Sequence, residues 1–259
     1  MRAVVRRLLP PAVRKQIKKA VPAYWKCHCP ICDHYDVAFE PFGLIPRQNA
    51  RCPSCGALER HRLVWIFLRT QTDLFNGTPK RMLHVAPEPS LWPRLAAIPN
   101  INYMSADLNK PYATTRLDIT NMPSVASGSI DVVYCSHVLE HVTDDRMAMR
   151  EFARVLKPSG WAVLLVPIWA ARTFEDPSVT DPKERERLYV QHDHVRRYGP
   201  DFADRVNESG FDVRIYHADE VLGERRHRYA VPADEGPVYF CRPRVSAQHG
   251  PSVPSTPRA

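Results

Sequence analysis

Two cysteine pairs carry the clearest chemistry in this sequence: Cys29-x2-Cys32 and Cys52-x2-Cys55, with 19 residues between them. A two-residue gap lets both thiolates of a pair turn onto one ion, and a second pair delivered by a loop completes a tetrahedral set. Pro30, Pro53 and Gly56 suit the tight turns this requires. Clustered pairs at such spacing point to zinc rather than to disulfides. The expected ligands are Cys29, Cys32, Cys52 and Cys55, with Cys27 and His28 as alternative donors to Cys29. A site closed by four thiolates has no open position for water or substrate, so the zinc would be structural. The competing reading is four unligated buried thiols. Cys135 and Cys241 stand alone.

A second group of residues falls just after segments that read as strands. Asp107 closes the segment 101–108 and lies 23 residues beyond His84. In nucleotide-binding α/β folds a carboxylate at about that distance accepts from both ribose hydroxyls; the alternative is a surface or capping aspartate. Asp118-Ile119 follows the next strand, and Ser136-His137 and Glu140-His141 follow the one after. His137 and His194 are candidate acid/base groups by position. Their bland alternatives are pocket lining for His137 and a solvated helix cap for Asp193-His194-Val195-Arg196. Arg196 is a candidate clamp for an acidic acceptor. The connection 169–190, with Glu175, Asp176, Arg185 and Arg187, is a candidate lid.

The elements that must position these groups alternate strand and helix from residue 81. Strands are expected at Arg81–Ala86, Ile101–Leu108, Thr115–Ile119, Ile130–Cys135 and Trp161–Ile168, rich in β-branched and apolar residues. A helix follows Thr143 as N-cap and stops at Lys157-Pro158-Ser159-Gly160. A further helix spans Gly199–Ser209, and the last strands are Asp212–His217 and Val238–Arg242. Residues 57–70 read as an amphipathic helix with Leu63, Ile66 and Phe67 inside and Arg60, Arg62 and Arg69 among the polar positions. Such alternation implies a doubly wound, mostly parallel sheet whose ligands bind at the carboxyl ends of the strands.

Taken together, several stretches resemble class I S-adenosylmethionine-dependent methyltransferases of the bacterial small-molecule type. They are Ser105-Ala106-Asp107-Leu108, Leu117-Asp118-Ile119-Thr120, the run Ile130 to His141, and Arg154-Val155-Leu156-Lys157-Pro158-Ser159-Gly160-Trp161. More narrowly, the run Cys52 to Arg62, with Leu83-His84-Val85-Ala86-Pro87-Glu88 and Asp193-His194-Val195-Arg196, resembles a subgroup with an N-terminal four-cysteine zinc knuckle. The resemblance covers residues 27–242. It implies a seven-stranded Rossmann-like methyltransferase sheet with an antiparallel final strand and a small N-terminal zinc-binding module. It implies S-adenosyl-L-methionine as cofactor, Asp107 and Leu108 at the ribose, Asp118 and Ile119 at the adenine, and Cys135, Ser136 and His137 near the methionine portion. The usual glycine-rich first loop is replaced by His84-Val85-Ala86-Pro87-Glu88-Pro89-Ser90. His84, Ala86 and Glu88 are the expected cofactor contacts there, Glu88 taking the methionine ammonium.

The expected divisions are a basic arm (1–23), a zinc module with linking helix (24–72), a methyltransferase domain (78–244) and a Pro/Ser-rich disordered tail (245–259). The formal net charge of +8 belongs to the arm: residues 1–26 hold eight Lys or Arg and no acid, and the remainder balances. That argues against a globally basic nucleic-acid clamp. The arm is roughly amphipathic, split by Pro10-Pro11 into two short helices, and suits an anionic membrane surface or a solvated role. No apolar run is long enough to span a bilayer and no signal peptide is evident, so a cytoplasmic, membrane-peripheral location is expected. The expected activity is methyl transfer to O or N of a small-molecule acceptor. The alternatives are an RNA or protein methyltransferase gripping its substrate with knuckle and arm, and a non-catalytic cofactor-binding scaffold. The sequence leaves the oligomeric state unknown.

Overall fold

The computed structural model describes residues 26–43, 45–109 and 113–244. The basic arm and the tail fall outside the described residues. The chain divides into two compact units.

The first unit comprises the described residues up to Thr78 together with Glu88–Ile98 and His217–Gly236. The methyltransferase domain expected from the sequence included both of those later segments. Two antiparallel hairpins open the unit: β1 (Cys27–Cys29) with β2 (His34–Asp36), and β3 (Glu40–Phe42) with β4 (Arg47–Arg51). Helix α1 (Glu59–Thr70) follows, and its Leu63, Val64, Phe67 and Leu68 are fully buried. It packs on the short helix α6 (Ala218–Leu222). The remaining helices of the unit are α2 (Trp92–Leu95) and α7 (Arg225–Arg228).

Arg62 corrects the amphipathic reading of α1, because it is fully buried. Its guanidinium donates to five carbonyls, those of Asn49, Ala50, Ala57, Tyr229 and Ala230, and lies 4.8 Å from the Phe39 ring centroid. A fully hydrogen-bonded fork is the form in which a buried arginine is tolerated. Glu59 is buried too, and Arg47 grips it with two bonds at 2.9 and 3.2 Å.

Glu235, in the same unit, is pushed up to about 7, first by burial and then by the Glu59 carboxylate. The folded carboxyl therefore holds its proton more tightly than the unfolded one at 4.5, and stability falls as pH rises between those values. Glu235→Gln is expected to flatten that slope and to raise stability at pH 8 by about 2 kcal/mol, read by denaturant titration at pH 5 and pH 8. A wild-type stability that rises across this interval would contradict the assignment.

The second unit, Pro79–Pro87, Pro99–Tyr216 and Pro237 onward, is built on one seven-stranded sheet. Its strands are β5 (Lys80–Val85), β6 (Ile101–Asp107), β7 (Thr115–Arg116), β8 (Ile130–Ser136), β9 (Leu156–Leu165), β12 (Phe211–Tyr216) and β13 (Val238–Pro243). The order is β12-β13-β9-β8-β5-β6-β7. The five strands from β9 to β7 run parallel; β13 pairs antiparallel with both β9 and β12. The order reverses beside β5, which sits between β6 and β8, so the crevice opens at the carboxyl ends of these strands. A small ribbon of β10 (Phe174–Glu175) and β11 (Arg196–Arg197) lies outside the sheet.

Helix α3 (Asp145–Val155) buries Ala148, Met149, Phe152 and Val155 in the main core, with Val133, Leu164 and Phe211 among their partners. Its N-cap is Asp144 rather than Thr143: the Asp144 carboxylate accepts from Met147 N at 2.8 Å. A carboxylate serves better than a hydroxyl at the positive end of the helix. Strand β9 begins at Leu156, directly after the helix, and ends at Leu165, short of the expected Ile168, because Pro167 removes a donor from the ladder. Gly160 is required within it, since a Cβ there would stand 2.9 Å from the Asp131 carbonyl. Two further helices are α4 (Pro182–Tyr189) and α5 (Phe202–Glu208). Among the described residues no helix is long and apolar enough to cross a membrane.

Candidate functional site

The four expected cysteines converge in the first unit. Cys29 Sγ lies 3.7 Å from Cys55 Sγ, Cys32 Sγ lies 3.7 Å from Cys52 Sγ, and all four sulfurs lie within 4.8 Å of one another. Disulfide sulfurs would be about 2 Å apart. A tetrahedron of thiolates about 2.3 Å from zinc has edges of about 3.8 Å, which the two 3.7 Å separations meet. The two knuckles are built alike. Asp33 N donates to Cys29 O and Gly56 N to Cys52 O, each at 2.9 Å. The residue after each second cysteine is left-handed, Asp33 at φ 60° and Gly56 at φ 73°. The alternative donors face elsewhere: His28 stacks on Tyr35 and pairs with Asp33, and Cys27 Sγ faces Val37 O and Asn49.

In the second unit the crevice residues stand at the carboxyl ends of the central strands. Backbone curls sharply at two of them. Ala86, just beyond β5, has φ 48°, and His137, just beyond β8, has φ 53°. Their amides are held by Ala106 O at 2.8 Å and Leu165 O at 2.9 Å. Non-glycine residues reach this region at a cost of about 1 kcal/mol each, and such strain gathers at functional sites. Ala86 thus adopts the conformation for which glycine is favoured.

Asp107 is half-buried at the end of β6, and one carboxylate oxygen accepts from Asn109 N at 2.8 Å. Leu108 beside it is half-exposed. Asp118 is exposed, with Oδ1 accepting from Thr120 N and Oγ1 at 2.8 Å, while Ile119 is buried. Cys135 and Ser136 are buried, and Ser136 Oγ has no partner among the described groups. Two expected contacts have other surroundings. His84 is fully buried, with Nδ1 2.8 Å from Tyr103 Oη and its ring against Tyr134. Glu88 belongs to the first unit, where its carboxylate lies 3.8 Å from His61 Nε2.

The histidines form a cluster that their sequence positions did not announce. His137 Nδ1 is 3.3 Å from Glu140 Oε1, His141 Nδ1 is 3.2 Å from Asp193 Oδ2, and His194 Nδ1 is 3.1 Å from Tyr189 O. The His141 and His194 rings meet edge to face at 4.6 Å, and Trp169 stacks on His194. Glu140 is 1% exposed, and its Oε2 has no hydrogen-bond partner among the described residues. Burial would raise its pKa, but the bond and charge of His137 outweigh that and hold the carboxyl below its usual value. Burial, then the charge of His141, pushes His194 below its usual value.

A buried ionic framework fixes this cluster. Arg196 donates to the carbonyls of Leu139, Val142 and Thr143, and to Glu175 at 2.8 Å. The guanidinium expected to clamp an acceptor therefore holds the 3-10 turn Leu139–His141. Val195 N donates to Glu140 O at 2.9 Å. Arg205 bridges Asp145 and Glu175, and Tyr198 Oη donates to Asp145 at 2.6 Å. Burial alone would raise Glu175, but Arg205 and Arg196 hold it at about 2. The segment read as a lid is thus pinned at Glu175. Tyr198→Phe removes a bond to a buried carboxylate and is expected to lower stability by about 1.5 kcal/mol, measured by thermal or denaturant unfolding; an unchanged midpoint would contradict that role.

Comparison with known proteins adds three findings. Residues 93–164 match the family model described as "Methyltransferase domain". An uncharacterized 37.1 kDa protein of transposon TN4556 from Streptomyces fradiae is 32% identical over 126 residues, which is 42% of this chain and 35% of that protein. The chain also resembles the crystal structure of an S-adenosylmethionine-dependent methyltransferase from Mesorhizobium loti, with TM-score 0.51 and 15% identity, covering 70% of this chain and 97% of that one. The central sheet has the Rossmann-like methyltransferase fold.

Proposed function

We propose that this chain is an S-adenosylmethionine-dependent methyltransferase acting on an O or N atom of a small-molecule acceptor, with a structural zinc in its first unit. The observation that carries this reading is the placement of two carboxylates at the carboxyl ends of neighbouring strands, Asp107 closing β6 and Asp118 following the edge strand β7, on one side of the point where the strand order reverses. The match of residues 93–164 to a methyltransferase-domain family supports it.

In this reading Asp107 accepts from the ribose hydroxyls, with Leu108 against the sugar. Asp118 accepts from the adenine amino group through the oxygen that its own turn does not use, and Ile119 N–H donates to the ring. The backbone at Cys135, Ser136 and His137 faces the methionine portion. When bound, S-adenosylmethionine supplies an electrophilic methyl group on a sulfonium. The work left to the protein is to align an acceptor lone pair with that methyl and to exclude water. His137 is placed to take the acceptor's proton, and the Glu140 carboxylate beside it stabilises the resulting imidazolium. His194, buried and pushed below its usual pKa by that burial, is the second candidate.

The test is an acceptor screen with methyl-labelled S-adenosylmethionine over hydroxylated and aminated small molecules, with RNA and protein fractions alongside. Label in a small product supports the reading. Label confined to RNA or protein would replace the acceptor class, and no transfer to any fraction would remove the activity.

A further inference from the structure

We propose that Glu140, His141 and His194 form a second metal site in this chain, taking a divalent first-row transition cation. One ligand atom from each lies within 4.8 Å of the others. Each is prepared for a cation in a different way. His194 Nδ1 faces the Tyr189 carbonyl, so it carries the proton and leaves the Nε2 lone pair free. His141 Nδ1 faces the Asp193 carboxylate, so its Nε2 is likewise the ligand atom. Such outer partners fix the tautomer and orientation of metal-binding histidines. Glu140 supplies the third donor: Oε1 is engaged by His137, whereas Oε2 is buried without a partner among the described residues. An acceptor stranded in that way is unfavourable unless something meets it. His141, the exposed member, is the one with room to close the remaining distance.

Two imidazoles and one carboxylate suit zinc, iron(II) or manganese(II), and only three protein ligands leave coordination positions open. Resting on the methyl-transfer reading, an open position takes the acceptor's hydroxyl oxygen. Coordination acidifies that hydroxyl. The O–H bond breaks with its proton passing to His137. The oxygen lone pair forms the new C–O bond as the C–S bond breaks, its electrons returning to sulfur as a neutral thioether. The acceptor class is then an alcohol or phenol.

The probe is Mn2+, followed by electron paramagnetic resonance on protein already loaded with zinc; manganese does not compete well for thiolates. The expected result is one bound Mn2+ per chain, displaced by a further equivalent of Zn2+, with nitrogen couplings from two imidazoles in the pulsed spectrum. Glu140→Gln and His194→Gln are each expected to weaken binding at least tenfold. S-adenosylhomocysteine binding by the same samples reports on the donor site separately, so loss of one reading does not mask the other. No Mn2+ bound by the wild type, no nitrogen coupling in its spectrum, or equal binding by folded variants overturns the proposal.

Discussion

Asp107→Ala is expected to weaken S-adenosylhomocysteine binding roughly 100-fold, with the fold intact. A ribose presents two hydroxyls to one carboxylate, and each charge-assisted bond is worth about 1.5 kcal/mol net. Losing both removes about 3 kcal/mol, hence the factor of roughly 100. Asp107 is only half-buried, so its truncation leaves no buried cavity. Asp107→Asn keeps an acceptor without its charge and is expected to fall between, at about 10-fold. Titration calorimetry, with far-ultraviolet dichroism to verify folding, measures both. Equal affinity in the wild type and Asp107→Ala would exclude the ribose contact.

Cys52→Ser is expected to have the largest effect on stability. Zinc bound by structural thiolate sites contributes on the order of 10 kcal/mol of apparent binding free energy, and in small modules that is folding free energy. The hairpins around the cysteines are short, three to five residues per strand, and such hairpins are marginal on their own, so a metal bound there would carry much of the local stability. The wild type is expected to carry at least one zinc per chain by elemental analysis, and Cys52→Ser one fewer, with early protease cleavage between residues 26 and 78. Cys27→Ser is the control: Cys27 Sγ faces Val37 O and Asn49, so zinc content is expected to hold. Less than about half an equivalent in wild-type protein purified without chelators would contradict the zinc site.

Residue type and spacing made the local features legible. The four cysteines follow a spacing with few other meanings, and the structure gathers those four. The central strands show as apolar, β-branched runs, but several boundaries move: β9 starts at Leu156, inside the stretch read as a helix stop, and ends before Pro167; β7 keeps only Thr115–Arg116 of the expected Thr115–Ile119; and the helix cap falls on Asp144. What failed were features made by partners distant in the chain. Periodicity put Arg62 on a polar face because the carbonyls that satisfy it include Tyr229 and Ala230, more than 160 residues away. Arg196 read as a free cation for the same reason, since its acceptors at Leu139, Val142 and Thr143 arrive through the fold. The meeting of His141 with His194 was equally invisible, since it too is made by the fold. The positive φ of Ala86 has no signal in the sequence, because alanine does not advertise that conformation.

The central claim is that the acids after β6 and β7 hold the nucleoside half of a sulfonium donor. The structure of the protein with S-adenosylhomocysteine tests it most directly. The prediction is a ribose whose two hydroxyls reach Asp107, an adenine whose amino group reaches Asp118 with its ring at Ile119 N–H, and the thioether beside Ser136 and His137. A crevice that stays empty at saturating ligand, or a ligand seated away from both carboxylates, would contradict it.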